Sequence, residues 1–201
     1  MKKLFFILLF ISLSSCSNFL SKKYGIENIE SFDESKYQQI IKGIDFKNIV
    51  YYSTHQDSAA YECMRNKVAT NQLQVKDMSQ PIQLYYFNRD SLTSFQANCY
   101  VRGGVSNLNW NTLGRFNVFP PTSAVDLDEF SVSKEQLRDC IQSLDNIDTS
   151  TNVIFIYWTT MFNKISQDAI KVVIDNVVTH NQQNNTIIYL INNDPYFSKM
   201  K

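Results

Sequence analysis

Residues Asn152–Trp158 read NVIFIYW, and the predicted sheet is built around them. Their continuous apolar run is typical of a central strand that is buried on both faces. Ser166–His180 follows with apolar side chains on one helical face, and Thr186–Ile191 is a second apolar run. Strand, helix and strand in this order predict a βαβ unit, whose strands are parallel and joined by a right-handed crossover.

The residues before this unit predict the rest of the sheet and its helices. Pro81–Phe87 and Leu92–Val101 are β-rich runs separated by turn residues, so they predict an antiparallel hairpin. Apolar spacing and cap residues predict three helices and one further strand: helices at Ser31–Gly43, Ala59–Ala69 and Ser133–Leu144, and a strand at Phe46–Tyr52. The expected fold class is α/β or α+β, with a mixed sheet, an antiparallel hairpin and a C-terminal βαβ unit.

Composition excludes some classes of protein. The 201 residues carry 19 basic and 19 acidic side chains, so the chain lacks the basic excess of a nucleic-acid-binding protein. A hydrophobic fraction of 44% is ordinary for a globular domain and argues against wholesale disorder. Five glycines leave no room for a glycine-rich phosphate-binding loop.

The N-terminus has the pattern of an export signal. Lys2 and Lys3 precede the apolar run Leu4–Leu13, and small residues follow. Leu13-Ser14-Ser15-Cys16 resembles the lipobox of bacterial lipoproteins. The resemblance implies cleavage before Cys16 and a diacylglycerol on its thiol, with a further acyl chain such as palmitate on the new amine. Several chains on one residue would hold a protein at a membrane stably.

This resemblance also sets the expected domain organisation and location. We expect a signal peptide at 1–15, a lipidated tether at 16–30 and a single globular domain at 31–201. The protein is expected in the bacterial cell envelope, at the outer membrane or the periplasmic face rather than in the cytoplasm.

The βαβ unit resembles part of the thioredoxin fold. The run Val153–Trp158 looks like the strand that leads into that family's active-site loop, where a Trp precedes a Cys-x-x-Cys motif. Phe162 and Ile165 occupy the positions of the two cysteines, so the family's redox chemistry does not carry over. The resemblance implies a degenerate thioredoxin-like domain, in which any hairpin must come from upstream of the unit.

Three cysteines remain if Cys16 is lipidated, namely Cys63, Cys99 and Cys140. In an oxidising compartment two of them could form a disulfide and leave one over. Alternatively, all three are small buried apolar residues, since free cysteine is among the most buried residue types. Cys63 could also form a nucleophile–base pair with His55, with Asp57 nearby.

Thr159, Thr160, Asn163 and Lys164 are the polar residues best placed to bind a ligand. They follow a buried strand and precede a helix, and ligands of open α/β sheets bind at the carboxyl ends of strands. The alternative is a plain loop with a helix cap. Trp110, Phe116 and Phe119 could line a groove, or cover the core under a long loop.

The sequence contains no catalytic motif, and its two histidines make a zinc site improbable. We therefore expect a non-catalytic binding or structural role in the envelope, with a membrane anchor, a possible protein partner, no cofactor and no nucleic acid. The alternative function is a thiol-disulfide oxidoreductase of thioredoxin-like ancestry that uses cysteines outside a Cys-x-x-Cys motif.

Overall fold

The computed structural model describes residues 26–56, 58–103, 108–141 and 152–199. The expected signal peptide, Cys16 and the first part of the tether lie outside the described residues. Asp57 and positions 142–144, at the end of one predicted helix, lie outside them as well.

Within these described ranges, five strands form one mixed sheet in the order β1-β5-β4-β2-β3. Their bounds are β1 Val50–His55, β2 Gln83–Asn88, β3 Ser91–Ala97, β4 Asn152–Trp158 and β5 Thr186–Asn192. β4 and β5 are parallel, as are β1 and β5, whereas β2 runs antiparallel to both β3 and β4. The predicted mixed sheet, hairpin and βαβ unit are therefore confirmed, and the hairpin comes from upstream of that unit.

Six named helices cover the sheet in the described part of the chain. They are α1 Glu34–Lys42, α2 Ser58–Cys63, α3 Gln72–Asp77, α4 Lys134–Cys140, α5 Asn163–Thr179 and α6 Asp194–Phe197. A π-helical turn, Met64–Val68, continues α2. Side chains cap the starts of several helices; for example, Asp33 accepts a hydrogen bond from the backbone N–H of Lys36, and Ser133 forms a capping box with Gln136.

β4 lies at the centre of the core. Its residues from Val153 to Trp158 are fully buried, and their side chains alternate between two apolar clusters. Ile154, Ile156 and Trp158 pack with α1 and α5. The other three, Val153, Phe155 and Tyr157, pack with the π-helical turn and α4. Because burial of each large apolar side chain contributes about 1.5–3 kcal/mol, this strand is a main source of stability.

Two predicted strand boundaries were wrong, and one helix was not predicted. The first strand begins at Val50 rather than Phe46, because Lys47 and Asn48 adopt φ values of +53° and +65° and form a turn. β3 ends at Ala97, where the chain enters a 3₁₀ turn at Asn98–Tyr100. The short helix α3, which Asn71 caps, was not predicted.

Candidate functional site

The parallel strands β1, β4 and β5 end at the same edge of the sheet, and the residues beyond them form a buried polar network. Its members are Gln56 after β1, Thr159 and Thr160 after β4, Ser166 in α5, and Asn192, Asn193 and Asp194 at the end of β5. All seven are at most 4% exposed. Buried polar groups need hydrogen-bond partners, so the bonds of these residues show whether they hold the fold together or are free to bind a ligand.

Asp194 joins the loop after β4 to the end of β5. Its Oδ1 accepts a hydrogen bond from the Thr159 hydroxyl at 2.7 Å and one from the backbone N–H of Thr160 at 2.8 Å. The Thr159 hydroxyl in turn accepts from the backbone N–H of Met161 at 3.1 Å. The carboxylate therefore fixes the path of the chain as it leaves β4.

Ser166 ties the same loop to helix α5. Its hydroxyl donates to the backbone carbonyl of Thr159 at 2.8 Å. The backbone N–H of Thr159 donates back to the Ser166 hydroxyl at 3.3 Å. The helix is thus held to the strand that precedes it by a reciprocal pair of bonds.

Asn193 connects three parts of the sheet. Its backbone N–H donates to the carbonyl of Trp158 at 2.8 Å, and its side-chain amide donates to the carbonyl of Pro81 at 3.2 Å. The Gln56 side chain donates to Asn193 Oδ1 at 2.7 Å. Among the described residues, Gln56 Oε1 and Asn192 Nδ2 have no hydrogen-bond partner. The network therefore has one free acceptor and one free donor at these two atoms.

The four predicted ligand-loop residues have different positions. Thr159 and Thr160 are buried in the network with Asp194. Asn163 accepts a hydrogen bond from Gln167, and Lys164 pairs with Asp168 at 2.6 Å along the surface of α5. Ligand binding by this loop stays a prediction.

Sequence reasoning missed the partners Gln56, Asn193 and Asp194. Each follows the end of a strand, so the predicted parallel order of β4 and β5 was a signal that Asp194 lies near Thr159. The pairing of β1 with β5, which brings in Gln56, had no local signal in the sequence.

The apolar side chains at the two positions that match the thioredoxin cysteines pack into or against the core. Phe162 immediately precedes α5 and forms an isolated antiparallel bridge with Ile26. Ile165 lies in the first turn of α5 and is buried in the core. These positions anchor the start of the helix by packing.

Cys63 and Cys140 form a disulfide, with their Cα atoms 5.6 Å apart. The bond joins the end of α2 to the end of α4 and closes a loop across 77 positions of sequence. Of the alternatives for the three cysteines, one disulfide with one cysteine left over is confirmed. Because the Cys63 sulfur is in this bond, the predicted Cys63–His55 nucleophile pair is wrong. The His55 ring packs instead on Phe32, with centroids 4.5 Å apart.

Cys99 is the free cysteine of the described residues. It is exposed and lies in the 3₁₀ turn after β3, so the prediction that it lies in a strand was wrong. Desolvation nevertheless raises the pKa of its thiol. Reactive cysteines have a lowered thiol pKa, so the shift at Cys99 is in the opposite direction.

Of the two alternatives for Trp110, Phe116 and Phe119, a groove or a cover over the core, the structure supports the cover. Trp110 and Phe116 are buried in the cluster beneath α5, and Phe119 packs against it. A surface cavity of about 460 Å³ lies beside Phe116, Asn176 and His180. The described residues contain no group of three or more His, Cys, Asp or Glu side chains that could hold a metal ion.

A second buried carboxylate, Asp77, lies at the end of α3. The hydroxyl of Tyr100 donates to it, with 2.8 and 2.9 Å to its two carboxylate oxygens. Burial raises the pKa of Asp77, and the Tyr100 hydrogen bond opposes this effect. The carboxylate is therefore a source of pH-dependent stability.

Compared with protein-family models, curated proteins and solved structures, the chain gives no match. The structure shows a mixed α/β domain. The resemblances to thioredoxin-like proteins and to lipoproteins stay predictions.

We expect Thr159→Val to lower the free energy of unfolding by about 1–3 kcal/mol, because it leaves the buried Asp194 carboxylate without its hydroxyl donor. Lys164→Ala, in the first turn of the adjacent helix α5, is the control. It removes an exposed ion pair and is expected to cost at most about 0.5 kcal/mol. Urea denaturation measures both, and equal effects would show that the network does not stabilise this edge.

Asp77→Asn should change how stability depends on pH. The pKa of Asp77 is higher in the folded protein than the ordinary 3.8, so the stability it contributes is present below that pH. It is lost as pH rises through the folded-state pKa. The wild type should therefore lose stability relative to the variant as the pH rises above about 4, the ordinary carboxyl pKa. A difference that stays constant, or that changes in favour of the wild type, would contradict this assignment.

Proposed function

We propose that the protein is a lipid-anchored component of the bacterial cell envelope with a non-catalytic binding or structural role. The basic start, the apolar run and the lipobox-like Leu13-Ser14-Ser15-Cys16 support the anchor. In the described residues, no helix is both long and apolar enough to cross a membrane.

The observation that carries the proposal is the Cys63–Cys140 disulfide. Disulfides persist in oxidising compartments such as the periplasm and are rare in the reducing cytosol. This bond lies in the domain, far along the chain from the signal-like segment. It therefore supports export independently of the N-terminal pattern.

The polar edge of the sheet supports a role other than catalysis. Ligands of open α/β sheets bind at such an edge, where polar side chains project towards the ligand. Here Thr159, Thr160 and Asp194 bond to one another and are almost fully buried. Their hydrogen bonds hold the fold together, which leaves the outer surface of the domain as the place for a partner.

The disulfide is also the observation that favours the alternative, a thiol-disulfide oxidoreductase. A catalytic disulfide must be open to attack by a thiolate of its substrate. Cys140 is only 4% exposed and packs in the core, so a structural bond fits the geometry better. The two roles differ in a disulfide-reductase assay.

The anchor is tested by metabolic labelling with a fatty-acid analogue in a bacterial host. We expect the protein to be labelled and Cys16→Ser to remove the label, because the thiol of Cys16 is the proposed attachment point. Cys99→Ser is the matched control and should keep the label. Labelling of the Cys16→Ser protein would refute the proposed anchor.

The structural role of the disulfide is tested with Cys63→Ser and Cys140→Ser. Loss of a bond that closes so long a loop is expected to cost about 2–5 kcal/mol of unfolding free energy. Cys99→Ser is the control, because Cys99 is exposed and free, and it should change the free energy of unfolding by less than about 0.5 kcal/mol. The alternative function would be favoured if the wild type catalysed the reduction of a disulfide substrate. Cys63→Ser and Cys140→Ser would then lose this activity, and Cys99→Ser would keep it.

A further inference from the structure

The two edges of the sheet differ in how they are covered. The segment 122–124 runs along β3, where the backbone N–H of Ala124 donates to the carbonyl of Phe95 at 2.8 Å. Gln96 also donates to the carbonyl of Thr122 at 2.7 Å. At the opposite edge, no strand among the described residues pairs with the outer side of β1.

The outer side of β1 carries regularly spaced backbone groups. The N–H of Gln56 donates to the carbonyl of Asn192 in β5 at 3.1 Å. In a parallel pair, both backbone groups of a residue face the same neighbouring strand, and the next residue faces the other way. The N–H and C=O groups of Tyr51, Ser53 and His55 therefore point away from the sheet.

The same strand exposes large apolar side chains. Val50 and Tyr52 are each 52% exposed and Tyr51 is 39% exposed. Tyr51 stacks on Phe46 and Tyr52 on Tyr189, so one ring lies on each face of the sheet edge. A strand added to this edge would cover these side chains on both faces.

β1 also lacks the features that normally protect an edge. Natural edge strands carry charged residues, prolines or bulges that prevent pairing with another chain. The sequence VYYSTH has no acidic residue, lysine, arginine or proline, and its register with β5 is continuous from Val50 to His55. This edge is therefore open to a partner strand.

We propose that β1 pairs with β1 of a second copy of this chain, antiparallel and across a two-fold axis. The outward residues are symmetric about Ser53, so a register centred there pairs Tyr51 of each copy with His55 of the other. All their outward backbone groups are then bonded. Because β1 has no acidic residue, lysine or arginine, two copies meet at this edge without repulsion between like charges, and a second copy fits as the partner. The pairing is isologous and joins two five-stranded sheets into one.

This inference does not depend on the lipid anchor. The interface belongs to the domain, so it should form whether or not Cys16 carries a lipid. An anchor would raise the local concentration of the copies by confining them to one surface.

The test is native mass spectrometry of the full chain released from detergent at micromolar concentration. We expect a dimer for the wild type and a monomer for Ser53→Pro, because proline removes an N–H that faces outward while the bonds to β5 are kept. Tyr52→Lys should also be monomeric, because it places a cation beside the axis in each copy. Leu73→Lys is the control and should stay dimeric. Leu73 in α3 is 51% exposed and lies beside Val125 and Phe130, on the β3 side of the domain rather than at β1.

Circular dichroism melting separates lost pairing from lost folding, and Tyr52→Lys keeps the test valid if Ser53→Pro unfolds the domain. A wild-type monomer throughout the concentration range would overturn the proposal. A dimer that survives both edge variants would overturn it too, by placing the interface elsewhere. A photo-cross-linker at position 52 that captures a different protein while the chain stays monomeric would assign the edge to a foreign strand.

Discussion

The burial of β4 on both faces determines how the helices pack in this domain. Val153 to Trp158 have no access to solvent, so the sheet needs a helical layer on each side. α1 and α5 supply one layer, and the π-helical turn and α4 contribute to the other. The Cys63–Cys140 bond then joins the end of α2 to the end of α4 on that second side.

The same burial explains the polar network at the carboxyl edge. Where the chain leaves β4 it is still inside the protein, so its backbone groups cannot bond to bulk water. Asp194, Ser166 and Asn193 supply the partners for Thr159, Thr160 and Trp158. These hydrogen bonds close the fold at an edge where ligands often bind in α/β proteins.

Local sequence patterns predicted the central strands and helix, but they could not predict contacts between residues that are distant in sequence. β4, α5 and β5 were predicted nearly to their observed bounds, because a continuous apolar run and a one-sided helix are local signals. The start of β1 was misplaced because the positive φ values of Lys47 and Asn48 leave no clear mark in composition. The Thr159–Asp194 bond spans 35 positions, and Cys63–Cys140 spans 77, so sequence alone offered alternatives for the cysteines.

In the proposed dimer, the segment 122–124 covers one edge of the sheet and a second copy of β1 pairs with the other. Amide hydrogen exchange of the full chain measures this pairing at single residues. We expect slow exchange at the outward N–H groups of Tyr51, Ser53 and His55, comparable to that of Tyr52, whose N–H faces β5. Fast exchange at those three positions beside a protected Tyr52 would contradict it, because it would show that β1 is folded but has no partner.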